Sequence, residues 1–155
     1  MINKDNLYMK LIVQRVTKAS VEVDDEIIGK IDEGFMVLVG FGVNDTKKEA
    51  DYLCNKLLKL RIFEDDNDRM NLSLLDTDNE LLLIPQFTLY ASTKKHRPSF
   101  HKSMNPIDAN ELFDYFSSKC NESIHVERGI FGAHMNVSLV NNGPVTICLE
   151  KEYEE

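Results

Sequence analysis

Two apolar, strand-like runs close to the C-terminus, Val137-Ser138-Leu139-Val140 and Val145-Thr146-Ile147-Cys148-Leu149, are separated only by Asn141-Asn142-Gly143-Pro144. Proline has no amide hydrogen to give to a sheet ladder. Glycine leaves its backbone open to close approach, and an X-Pro bond is the one realistic place for a cis peptide. The backbone must therefore kink between two strands. Two readings stay open on these residues alone: a hairpin turn, or a site built from main-chain atoms. A second polar break, Pro85-Gln86-Phe87-Thr88-Leu89-Tyr90, follows an apolar run that ends at Ile84, and Thr88 reads as part of a strand-like stretch.

The rest of the chain alternates strands with two helices. Residues 10–16 are rich in β-branched side chains and predict a strand. Residues 19–23 and 27–31 alternate around Asp24-Asp25 and predict a hairpin. Phe35 to Phe41 is a continuous apolar run between Gly34 and Gly42, as a buried central strand requires. Ala50, Leu53, Cys54, Leu57 and Leu58 recur at helical spacing and predict a helix over 46–60. A second helix starts at 105–108, where Asp108 and Glu111 have capping-box spacing; it buries Leu112, Phe113, Phe116 and Cys120. Residues 80–84, 125–127, 135–140 and 145–149 predict further strands. The fold class is α/β: a β-rich layered roll of mixed, largely antiparallel sheets with two main helices on one side.

At 155 residues the size prior gives one domain. We expect a polar extension over 1–8, with Met9 as an alternative start, a single domain over 9–150, and an acidic tail over 151–155. Nothing at the N-terminus has the apolar core of a secretory signal, and no apolar run reaches the roughly 18 residues a membrane helix needs. Cys54, Cys120 and Cys148 are odd in number and widely spaced. They read as buried thiols of a reducing, cytoplasmic compartment rather than a disulfide framework or zinc site. The net charge of −8 opposes nucleic-acid binding by bulk electrostatics. The charge is uneven, however: acid gathers at 24–26, 64–66 and 150–155, base at Lys94-Lys95-His96-Arg97 with Lys102 behind. That basic run is either a solvated loop or an edge that holds phosphates.

Catalytic side chains are scarce. The acidic stretch from Glu64 lacks the Gly and Glu that a calcium loop demands at its sixth and twelfth positions. No Gly-X-Ser-X-Gly elbow is present. His96, His101, His125 and His134 have no metal-ligand spacing; His134 is either solvent-facing or a site residue. Thr88 carries a hydroxyl but no neighbouring base, so it reads as a site residue rather than a nucleophile.

Gln86-Phe87-Thr88-Leu89 and Asn141-X-Gly143-Pro144-Val145-Thr146 resemble the two signature motifs of the D-aminoacyl-tRNA deacylase family. The likeness runs from Met9 to Glu150. It includes Ile12-Val13-Gln14-Arg15-Val16, Leu60-Arg61-Ile62-Phe63, Arg97-Pro98-Ser99-Phe100, Phe131-Gly132-Ala133 and Met135 to Asn141. The resemblance implies a β-rich α/β roll, a homodimer, an aminoacyl-tRNA substrate, and no metal or organic cofactor. It implies ester hydrolysis by main-chain groups around Gln86, Phe87 and Thr88, assisted by the ribose 2′-hydroxyl. It also implies a chiral gate at a cis Gly143-Pro144 unit presented to the partner subunit, with Arg15 supporting the gate and Phe131 and Met135 lining the adenine pocket. Pro85 belongs to the same substrate wall, where the family has Ser. An animal subgroup acting on L-alanyl-tRNA shares that Pro, so relaxed chirality is one alternative. A non-catalytic dimeric tRNA-binding module is another.

Overall fold

The computed structural model describes residues 8–151. Residues 1–7 of the expected 1–8 extension and 152–155 of the expected 151–155 tail lie outside the described residues. Strand β1 (Lys10–Val23) is the spine of the molecule. Its first half pairs antiparallel with β3 (Gly34–Gly40), its second half with β2 (Glu26–Ile31), and both halves pair with β8 (Asn136–Glu150). Strands β6 (Glu80–Pro85) and β7 (Val126–Arg128) extend the sheet in parallel, giving the order β2-β1-β3-β6-β7 with β8 on the far side of β1. The continuous apolar run of β3 is buried because it lies between β1 and β6 with both faces covered.

Parallel pairing needs crossovers, and the helices supply them. Helix α1 (Lys47–Lys59) lies between β3 and β6, and α3 (Pro106–Asn121) between β6 and β7; the two helices pack on each other. Thr46 caps α1 in a capping box with Glu49, an arrangement worth about 1 kcal/mol. The apolar positions expected for both helices are buried. Helix α3, however, is capped by Asn105, whose side chain accepts from the Asp108 amide, with Pro106 in the first turn. The Asp108–Glu111 spacing therefore does not mark the cap.

Three further corrections concern secondary structure. The acidic loop separates two short strands, β4 (Phe63–Glu64) and β5 (Met70–Leu72), which precede a one-turn helix, α2 (Leu74–Thr77). Asp65 organises that loop by accepting from the amides of Asn67 and Arg69, which holds its carboxyl below the usual range. The runs at 135–140 and 145–149 are one strand, β8, rather than two. Residues 10–16 and 19–23 likewise fuse into β1.

Two apolar clusters fill the interior. The larger lies under the helices and takes Leu11, Val13, Phe35, Val37, Leu83, Phe113, Phe116 and Leu149. The smaller takes Val16, Ala19, Val21, Met36, Leu82 and Ile84, with Val137 and Leu139 of β8 against it. The β1–β8 ribbon thus serves one core with its first stretch and the other with its second. Cys54 and Cys120 are buried and adjacent, sulfur to sulfur 3.3 Å. Cys148 is exposed, against expectation, because the strand period turns it away from Ile147 and Leu149.

Candidate active site

The Gly143-Pro144 break is not a hairpin, since β8 stays paired with β1 on both sides of it. Gln14 pairs with Thr146 and Val16 with Asn141, so Asn142, Gly143, Pro144 and Val145 together face the single residue Arg15. This surplus of chain is pushed outward as a bulge. The Gly143-Pro144 peptide is cis. Gly143 has φ of 141°, and a Cβ there would lie 2.7 Å from Val145 Cγ2 and 3.2 Å from Arg15 Nη2. Both the conformation and the space therefore require glycine.

Two side chains brace the bulge. Arg15 is 4% exposed. Its Nε donates to the Asn142 carbonyl at 2.9 Å, Nη1 to the Ile62 carbonyl at 2.7 Å, and Nη2 to Glu64 Oε1 at 3.2 Å. A planar fork can serve three acceptors at once, which an ammonium on a flexible stem does less well. Asn141 clips the loop from within: its Oδ1 accepts from the Val145 amide at 2.7 Å, and its Nδ2 donates to the Val145 carbonyl and Thr146 Oγ1. The placement of Arg15 under the loop was expected. Ile62, Glu64 and the Asn141 clip were not, because partners 47 and 49 residues distant leave no local pattern.

The second segment corrects the strand-like reading of Thr88. Pro85 ends β6 in a buried position, and the Gln86 amide still donates to the Val39 carbonyl at 2.8 Å. The chain then turns into a 3₁₀ helix, Phe87–Tyr90. Tyr90 pins this turn to the core, its single hydroxyl proton lying between the carbonyls of Gly40 (2.9 Å) and Tyr8 (2.6 Å), either of which can accept it. Burial raises the Tyr90 pKa, so the phenol stays neutral. The Gln86 amide group donates to the Thr88 hydroxyl. Phe87 and Thr88 are exposed, and the Phe87 ring meets Phe100 edge-on with centroids 4.9 Å apart. Among the described residues no His, Asp or Glu is hydrogen-bonded to the Thr88 hydroxyl.

Met135 joins Pro85 through Gly129. A Cβ at Gly129 would lie 2.5 Å from the Met135 sulfur and 3.5 Å from Pro85 Cδ, so this glycine opens the space that the Met fills. Gly129 was not singled out from the sequence. Phe131 packs against the main core and lines a cavity of about 470 Å³ with Ile28, Arg128 and Ile130. His134 faces solvent.

Within one chain the two segments are far apart. Arg15, Phe35 and Leu81 share one row of the sheet; Leu11, Val39 and Pro85 share another. Four residues along the strands and three strand spacings across put the bulge roughly 13 Å along and about 14 Å across from the wall at Pro85.

Comparisons with known proteins bear on the family to which the chain belongs. The family model for D-Tyr-tRNA(Tyr) deacylase matches residues 12–150. The D-aminoacyl-tRNA deacylase of Kosmotoga olearia is 51% identical over 143 residues, 92% of this chain and 97% of that protein. The D-aminoacyl-tRNA deacylase of Bacillus pumilus is 53% identical over 146 residues, 93% of this chain and 99% of that protein. A solved structure named c-Myc DNA unwinding element binding protein superposes with a TM-score of 0.88 at 38% identity, covering 93% of this chain and 99% of its own. With the family model spanning nearly the whole fold and relatives matched over almost their full length, the chain belongs to the D-Tyr-tRNA(Tyr) deacylase family, whose members hydrolyse the aminoacyl-tRNA ester.

Proposed function

We propose that the protein cleaves the ester joining a D-amino acid, or glycine, to the 3′-terminal ribose of tRNA. It does so in the cytoplasm as a homodimer in which each Gly143-Pro144 loop completes the partner's site. The observation that carries this reading is the separation of two fully built segments. The bulge is braced by a buried arginine and an internal clip, and the wall is pinned by Tyr90, yet one chain holds them apart. A second copy can bring them together. The exposed edge of β8, which carries the bulge and pairs only with β1 among the described residues, is where that copy would dock.

The chemistry follows from what is scarce. With no base hydrogen-bonded to Thr88 among the described residues, the main-chain amides of Phe87 and Thr88 stabilise the oxyanion, each contributing about 3–4 kcal/mol to the transition state, while the Gln86 amide stays on the Val39 carbonyl and the Gln86 side chain orients the Thr88 hydroxyl. The ribose 2′-hydroxyl of the substrate assists, and an aminoacyl ester is already activated. The carbonyls of Gly143 and Pro144 stand where an L-side chain must point, so the L-ester clashes; glycine has nothing to exclude. Phe131 and Met135 hold the terminal adenine, and Pro85 closes the wall. The reaction calls on no metal and no organic cofactor.

Matched tRNAs charged with D-tyrosine, L-tyrosine, glycine and L-alanine test the proposal. D-tyrosine and glycine should be released. L-tyrosine should be slower on the order of 100-fold or more, as a clash of about 3 kcal/mol gives. Equal rates for the two tyrosyl esters overturn the gate. Release of L-alanine would favour the alternative that Pro85 supports by replacing a hydroxyl and an amide donor in the wall. Binding of tRNA with no release would leave a non-catalytic module.

A further inference from the structure

The segment from Leu81 to Ile107 contains no Asp or Glu, in a chain with 26 of them. Inside it an antiparallel bridge joins Ser92 to Ser99, with backbone hydrogen bonds of 2.7 and 3.0 Å in both directions. The loop closed by that bridge exposes Lys94, Lys95 and Arg97, and Lys102 lies just beyond it. These four cations, with His101, surround a cavity of about 330 Å³. No ion pair among the described residues engages any of the four. Four cations around one concavity, in a segment free of carboxylates, concentrate positive potential on a protein of charge −8.

The loop is also fastened to the wall. Phe100 follows the bridge and packs edge-on against Phe87. Beyond it, Val43 donates to the Lys102 carbonyl and Met104 to the Phe41 carbonyl, tying the segment to the chain just past β3. We propose that this loop is a phosphodiester clamp: Lys94, Lys95 and Arg97 grip the RNA backbone just upstream of the terminal aminoacyl nucleotide and deliver the ester to the wall. The inference rests on the substrate proposed above. It explains how an acidic protein holds RNA, since the contact is local and the rest of the surface repels misplaced strands.

The test compares D-tyrosyl-tRNA with D-tyrosyl-adenosine, which has the ester and the base but no phosphodiester. In the Lys94→Gln, Lys95→Gln, Arg97→Gln triple variant, the ratio of the tRNA rate to the adenosine-ester rate should fall about 10-fold or more, chiefly through KM. Each released single-strand phosphate contact is worth about 0.7 in the log–log salt slope, so that slope should flatten by about 1–2. A control variant removes the same number of charges from α1 (Lys48→Gln, Lys56→Gln, Lys59→Gln). An equal change there makes the effect one of bulk charge and overturns the clamp, as does an unchanged slope in the loop variant or an equal loss on both substrates. If the native protein cleaves neither ester, the proposed reaction fails on its own. Titration with uncharged tRNA then decides the clamp by the same slope: a flattened slope in the loop variant supports it, an unchanged one overturns it.

Discussion

Arg15 is a guanidinium withdrawn almost entirely from water, and its three acceptors determine what its replacement does. Arg15→Lys keeps the charge but cannot reach Asn142, Ile62 and Glu64 together. Buried carbonyls left without a donor cost about 1–3 kcal/mol. The Glu64 contact adds little, because that carboxylate is 49% exposed. Denaturant unfolding should show the loss, and the ratio of D- to L-tyrosyl-tRNA cleavage should fall with it. An unchanged ratio in a folded variant would mean that Arg15 serves stability alone. The sequence could name Arg15 but not its partners, since hydrogen bonds to distant carbonyls have no signature in side-chain pattern. Gly129 was missed for a related reason: a glycine that makes room for Met135 looks like any loop glycine until both are placed.

Among the elements, periodic ones were readable. The stripe Ala50, Leu53, Cys54, Leu57 and Leu58 marked α1, and the run between two glycines marked β3, because burial dictates those spacings directly. The elements misread are those whose form depends on a partner. A proline between two apolar runs looks like a turn locally; only pairing with β1 on both sides makes β8 one strand. Thr88 looks like strand because it is β-branched, but the chain leaves the sheet after the Gln86 amide and winds into a 3₁₀ turn at Phe87. A different element boundary, the junction of β3 with α1, has a pH signature. Burial pushes the Asp45 carboxyl up to about 7, against the opposing pull of the Met9 and Gly42 amides that donate to it at 2.7 Å. A folded-state pKa raised above the unfolded value means stability is greatest below about pH 4 for this group and is lost as pH rises toward and through 7. Thermal midpoints should therefore fall between those values. Asp45→Asn should lower the midpoint at pH 5, losing one amide contact, while flattening that decline. A native curve as flat as the variant's would contradict the assignment.

For the whole molecule, the proposed dimer is the feature on which the site depends. Val140 is 46% exposed on β8, and Ile27 is 61% exposed beside it across a cavity of about 350 Å³. Exposed apolar side chains on β8 and on the neighbouring β2 fit burial against a second copy. Light scattering should give twice 17.8 kDa for the native chain. Val140→Lys should shift the mass toward the monomer and reduce deacylation in proportion, since on the proposed reading the lone chain cannot close its own site. Full activity in a monomeric variant would return the gate to a single chain and undo the proposal. No helix of the described residues is long and apolar enough to cross a membrane.

The β1–β8 ribbon changes cores close to Arg15, so the bulge is seated at a joint between two separately packed bodies. Val137 and Leu139 settle its one flank, Ile147 and Leu149 the other. On the proposed reading, handedness is then a property of alignment. A methyl group deleted deep in either body would tilt the joint, and a packing fault would surface as a stereochemical error, made by residues that never touch a substrate.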